Sequence, residues 1–111
     1  MNIAIIGGNA QHLQILDAHL MNLIEESGNY LFTIIGGWVG DSQGEPPLSQ
    51  IWAKYRGLPF VPKQYKDVSA LIKGISEKAD YIIFLNDGSQ IIKRFIMTYR
   101  QMEKHGSVIN I

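Results

Sequence analysis

Residue types that hold small molecules gather at three points of the chain: Gly7-Gly8 followed by Asn9, Gly36-Gly37 followed by Trp38, and Asn86-Asp87-Gly88-Ser89. Glycine lets a backbone approach a ligand closely, and a helix starting just after such a turn aims N–H groups at an anion. Asn9 and Asn86 can donate and accept, Ser89 offers a hydroxyl, and the Asp87 carboxylate can accept from sugar hydroxyls. Trp38 offers a flat face for stacking on a base. Asp41 and Glu45, in the polar stretch behind Trp38, are carboxylates of the kind that hold ribose hydroxyls or attack an anomeric carbon. Each group also has a plain reading. Gly, Asn, Asp and Ser build tight turns and helix caps in folds of every function, and loops collect charge by default.

Other chemistries find little footing. With no cysteine, there are no disulfides, zinc-thiolate sites or thiol nucleophiles. His12 and His19 lie seven apart without HExxH or a comparable ligand spacing, so they read as helix-surface residues and no metal is expected. His105 near the end of the last helix suits the helix dipole. Lys93 and Arg94 fall early in that helix and could reach a phosphate, although cations there oppose the dipole. Formal net charge is zero, which disfavours nucleic acid as the main ligand, since a polyelectrolyte calls for a basic stripe.

The elements that must position these groups follow from hydrophobic periodicity. Asn2–Ile6 is a nearly unbroken apolar run, as expected of a strand buried on both faces. From about Ala10 to Ser27, Leu13, Leu16, Leu20, Leu23 and Ile24 recur at helical spacing, and Gly28-Asn29 supplies the stop. Tyr30–Ile35 reads as a second strand closed by Gly36-Gly37. Pro46-Pro47 opens a second helix whose apolar side is Leu48, Ile51, Trp52 and Tyr55, ended by Gly57. Leu58–Val61, flanked by Pro59 and Pro62, reads as an edge strand. Asp67 caps a helix containing Val68, Leu71, Ile72 and Ile75; Asp80–Leu85 is a fourth strand. Ser89 or Asp87 caps a last helix over Gln90–His105, ended by Gly106, and Ser107–Ile111 is a fifth strand.

Strands alternating with helices over 111 residues predict one three-layer Rossmann-like α/β domain, with a five-stranded parallel sheet in the order 3-2-1-4-5. Ligands of such sheets bind beyond the carboxyl ends of the strands, where the order reverses. In that order the first strand lies between the second and fourth, so all three glycine-bearing turns are expected at one mouth. A phosphate-bearing small molecule is the natural occupant. The standard signatures are missing, however: Gly7-Gly8-Asn9-Ala10-Gln11-His12 is not GxGxxG, no acid ends the second strand, and there is no GxxxxGK[ST].

A family resemblance rests on Thr33-Ile34-Ile35-Gly36-Gly37 followed by Gly40-Asp41-Ser42, on Trp52-Ala53-Lys54-Tyr55-Arg56-Gly57-Leu58-Pro59, and on Ala79-Asp80-Tyr81-Ile82-Ile83-Phe84 leading to Asp87-Gly88. Together they resemble the SLOG superfamily, nearest its small YspA-like (DUF2493) members, over nearly the whole chain. The resemblance implies a Rossmann-like fold, binding of a nucleotide or nucleotide-derived ligand, and frequent oligomerisation. Gly8-Asn9 stands where those relatives often carry Ser-Arg, and Lys73-Gly74-Ile75-Ser76 where they commonly carry Arg-Asn. Ile91-Ile92 occupies the stretch comparable to their Gly-Thr. These departures weaken phosphate chemistry more than they weaken binding.

The expected function is therefore binding of a nucleotide or nucleotide-derived molecule without a resident cofactor, through Gly7, Gly8, Asn9, Gly36, Gly37, Trp38, Asp41, Asn86, Asp87, Gly88 and Ser89. One alternative is an enzyme of N-glycosidic bonds using Asp41, Glu45 or Asp87. Another is an interaction module built on the last helix, where Ile91, Ile92, Phe95, Ile96, Met97, Tyr99 and Met102 form a broad apolar arc. That arc suggests a homo-oligomer joined through Ile92, Phe95 and Tyr99, or else a broad contact inside the monomer. Met1–Gly8 lacks a basic n-region and no apolar run approaches the roughly 20 residues of a membrane span, so a soluble cytoplasmic protein is expected.

Overall fold

The computed structural model describes residues 1–28, 31–40 and 46–111. The strands are β1 (Asn2–Ile6), β2 (Thr33–Val39), β3 (Phe60–Tyr65), β4 (Tyr81–Asn86) and β5 (Gly106–Asn110). The helices are α1 (Leu13–Ser27), preceded by one 3-10 turn at Ala10–His12, α2 (Leu48–Arg56), α3 (Val68–Lys78) and α4 (Gln90–Gln101). All four strand pairings are parallel and the order is β3-β2-β1-β4-β5, as the sequence predicts. Among the described residues no helix is long and apolar enough to cross a membrane.

Strand alternation divides the interior. Ile3, Ile5, Ile34, Ile83 and Leu85 face α1 and α2, where they meet Leu16, Leu20, Leu48 and Trp52. Ala4, Ile35, Ile82 and Phe84 face the other way, toward Ile72, Ile75, Phe95 and Tyr99 of α3 and α4. Burial on both faces explains why β1 and β4 read as continuous apolar runs. Phe84 meets Phe95 and Tyr99 edge-on, at centroid distances of 5.6 and 6.0 Å.

Caps and stops fall where the side chains dictate. Asp67 Oδ1 accepts from Ala70 N at 2.8 Å to start α3, and Ser89 Oγ accepts from Ile92 N at 3.4 Å to start α4. Gly57 ends α2 with φ +68°, a left-handed conformation that only glycine adopts freely.

Three expectations are corrected. Gly36-Gly37 do not close β2: the strand runs through them to Val39, in register with Pro62 and Lys63 of β3. Their missing side chains make room on both faces. A Cβ at Gly36 would lie 3.1 Å from the Phe60 ring and 3.4 Å from Ser49 Oγ, and one at Gly37 only 2.7 Å from the Tyr65 ring. The turn glycine after β2 is Gly40, at φ +86°. Next, α4 stops at Gln101 and not at His105. Glu103 takes φ +58°, and Lys104 turns away to donate to the carbonyls of Ser76, Glu77 and Ala79 at the end of α3. Gly106 opens β5, because a Cβ there would lie 2.7 Å from the Ile82 carbonyl oxygen. Finally, Ile92, Phe95 and Tyr99 are 5%, 1% and 2% exposed. They fill this chain's own core and cannot carry an oligomer contact; the exposed apolar residues of α4 are Ile91 and Met97.

Helices α1 and α2 are clasped by a residue that periodicity passes over. Asp17 accepts from Trp52 Nε1 at 2.9 Å and from Arg56 Nε and Nη2 at 2.7 and 2.6 Å. The Arg56 guanidinium, helped by the Trp52 N–H and opposed by burial, holds the Asp17 carboxyl below its ordinary value of 3.8. The clasp therefore contributes stability that is complete above that value and lost as pH falls through the lower folded one. In urea titrations across a pH series, Asp17→Asn should be less stable than the parent at neutral pH, with the gap closing below 3.8. A gap independent of pH would show that the charge contributes nothing. Tyr55, expected in the core, is exposed beside this clasp, with the Arg56 guanidinium 5.2 Å from its ring centroid.

Candidate functional site

Two of the three expected segments are turns at neighbouring strand ends. β1 and β4 pair up to Ile6↔Phe84, which brings the turn Gly7-Gly8-Asn9 beside Asn86-Asp87-Gly88-Ser89. α1 and α2 lie on one face and α3 and α4 on the other, so the order reverses between these two strands. Gly7, Gly8 and Gly88 hold φ of +89°, +75° and +84°. The approach at Gly7 is tight: a Cβ there would lie 2.6 Å from the Leu85 carbonyl oxygen and 3.2 Å from Ile92 Cδ1. At Gly8 it would lie 2.8 and 2.9 Å from the Leu85 and Leu48 side chains. Buried Leu48, Leu85 and Ile92 thus floor the mouth, and a ligand can only lie across its polar rim.

The third segment is part of a strand and not a turn. β2 pairs with β1 from Asn2↔Thr33 to Ala4↔Ile35, while its pairing with β3 continues to Val39↔Tyr65. Gly36-Gly37 therefore belong to the β2–β3 ladder. Alternation along β2 puts Trp38 on the α1/α2 side, where its Nε1 is buried without a partner among the described residues. Asp41 and Glu45 lie outside the described residues.

Much of the rim's hydrogen bonding is already committed. Asn9 Oδ1 accepts from Gln11 N at 2.9 Å, and Asn9 N donates to His12 Nδ1 at 3.0 Å, a capping box that gives His12 a structural role. Asn86 Oδ1 accepts from Gly88 N at 3.0 Å and Asp87 Oδ1 from Ser89 N at 2.9 Å. These amides cannot also hold an anion. The Ser89 N–H, then the Ser89 hydroxyl, hold the Asp87 carboxyl below its ordinary range, so it is an anion at neutral pH and a poor proton donor. Arg94 reaches Ser69 Oγ of α3 at 3.2 Å, which accounts for its guanidinium without a phosphate. The described rim thus offers one carboxylate and several neutral amides, an arrangement suited to hydroxyls and base edges and poorly suited to a polyphosphate. Among the described residues no group of three His, Asp or Glu side chains could hold a metal.

Two contributors escape the sequence reading. Asn110 of β5 accepts from Asn86 Nδ2 at 3.2 Å, extending the polar rim to a third strand end. The signal was available in the strand order, which sets β5 beside β4. Between α1 and α2 a cavity of about 360 Å³, mostly apolar, is lined by Leu13, Pro46, Gln50, Ile51, Lys54 and Tyr55. Leu13 directly follows the His12 capping box, so the cavity borders the β1 turn. Gln50 Oε1 is buried and has no partner among the described residues. Nothing in the sequence distinguishes Gln50 from any other helix glutamine.

No protein-family model matches the chain, and no curated protein matches it. Among solved structures it is similar to a protein from the universal stress protein family of Burkholderia pseudomallei, with TM-score 0.50 and 17% identity over 97% of this chain and 94% of that one. At that identity the likeness is one of fold, and it agrees with the Rossmann-like architecture.

Proposed function

We propose that this protein binds a nucleoside-bearing small molecule across the ends of β1 and β4, without turning it over, as a SLOG-like binding domain would. The observation that carries the reading is the meeting of the Gly7-Gly8-Asn9 and Asn86–Ser89 turns at the point where the sheet order reverses. Asp87 supplies a carboxylate for ribose hydroxyls, and the adjoining cavity, with the unpaired Gln50 Oε1 and the Tyr55 ring, suits a base. The scarcity of free amides and of convergent cations on the described rim favours the nucleoside part over the phosphates as the recognised feature. Binding without catalysis is preferred because Asp87, the one described carboxylate among the three singled out, is tied into its own turn.

Thermal-shift screening followed by calorimetry with adenosine, nucleoside monophosphates, ADP-ribose and cyclic nucleotides tests this. At least one should stabilise the folded protein. Asp87→Asn, which keeps an acceptor for Ser89 N, should weaken that ligand by about tenfold or more, the size of one hydrogen bond to a charged group. No stabilisation by any of them, or full affinity in Asp87→Asn, would remove the assignment. Release of free base from a monophosphate would replace binding by catalysis.

A further inference from the structure

The β3 edge carries a feature unconnected with the strand-end mouth. Lys63 on β3 and Lys78 in the last turn of α3 border a cavity of about 180 Å³ walled by Ile35, Val61, Pro62, Ile75 and the ring of Tyr65. α3 leads into the start of β4, so Lys78 lies toward the opposite end of the sheet from Gly7 and Asn86. The Tyr65 ring is fixed from both sides by glycines: a Cβ at Gly74 would lie 2.4 Å from it and one at Gly37 2.7 Å. Lys63 Nζ is 5.5 Å from the ring centroid.

Each lysine alone has an ordinary explanation. A lysine on an edge strand discourages strand addition, and a cation suits a helix C-terminus. Neither explains why the two converge. The Lys63 charge, and burial after it, hold the Lys78 ammonium below its ordinary range. Among the described residues neither has a carboxylate partner, the ion pair there being Arg56–Asp17. Two ammonium groups gathered over an apolar hollow repel one another until an anion lies between them.

We propose that this cavity binds a phosphomonoester with a small apolar body, its dianionic head between Lys63 Nζ and Lys78 Nζ and its carbon body against the exposed wall of Val61 and Pro62. A phosphomonoester carries about −1.5 to −2 charge at neutral pH, close to what two ammonium groups balance. Lysine recognises phosphate as a point charge and needs no planar fork. A carboxylate brings half the charge, and inorganic phosphate leaves the apolar walls empty.

The test is a two-dimensional NMR titration of the intact chain with phenyl phosphate, benzoate and inorganic phosphate. Phenyl phosphate should bind saturably, moving the Val61, Lys63 and Lys78 signals, and should bind more tightly than the other two. Lys63→Gln and Lys78→Gln should each weaken it by about tenfold, while the unliganded melting temperature stays level or rises as a like-charge contact is lost. Unsaturable shifts, equal binding of benzoate, or undiminished binding in both variants would overturn the proposal. So would a fall in unliganded melting temperature in both, which would make the lysines structural.

Discussion

Phe95→Glu unfolds the protein. Phe95 is 1% exposed, packs edge-on against Phe84 at 5.6 Å, and belongs to the core between the sheet and α3 and α4. Losing the ring alone costs about 3–5 kcal/mol, and burying a carboxylate with no partner adds several more unless it protonates. A domain of this size has about 5–15 kcal/mol in total, so the loss consumes most of its stability. Circular dichroism and amide dispersion in NMR should report a largely unfolded chain at 25 °C. Met97→Glu on the exposed side of the same helix should leave the fold intact. A folded monomer in Phe95→Glu where the parent is a dimer would reverse the assignment and restore α4 as an oligomer contact.

The second large effect belongs to Gly7→Ala. Two penalties coincide there: φ of +89°, and a Cβ that would lie 2.6 Å from the backbone oxygen of Leu85. The first costs about 1–2 kcal/mol in any protein. The second cannot be relieved by a side-chain rotation, because the obstacle is main chain in the adjacent paired strand. Gly57→Ala provides the comparison, since Gly57 also has positive φ but nothing within 4 Å of the added carbon. Urea denaturation should show Gly57→Ala less stable by about 1 kcal/mol and Gly7→Ala by about 3 kcal/mol or more. Equal losses would mean that β1 and β4 can separate to admit a methyl group. The turn would then be a looser platform for a ligand than its geometry implies.

Legibility in the sequence followed how local each cause was. The strands β1 and β4, the caps Asp67 and Ser89, and the stop at Gly57 depend on neighbours a few residues away, and they stand where periodicity and turn chemistry put them. Gly36-Gly37 resemble a turn because nothing nearby in sequence shows that Ser49, Phe60 and Tyr65 require that space. The apolar arc of α4 could have faced a second copy of the chain or its own sheet, and only the tertiary contacts of Phe95 and Tyr99 with Phe84 separate the two. The candidate site divides in the same way. The juxtaposition of the β1 and β4 turns follows from strand order alone. The prior commitment of their amides and the cavity beside Gln50 arise from side chains meeting across elements, and spacing along the chain does not record that.

Chain neighbours in β1 inhabit separate rooms. Ala4 looks into one chamber and Ile3 and Ile5 into the other, with the sheet as an intact partition. Volume removed at Ile5 cannot be made good by enlarging Ala4, even though the two share a peptide bond. Ile5 and the distant Leu48 share a chamber, so compensating changes should be sought across the chain and on one side of the wall.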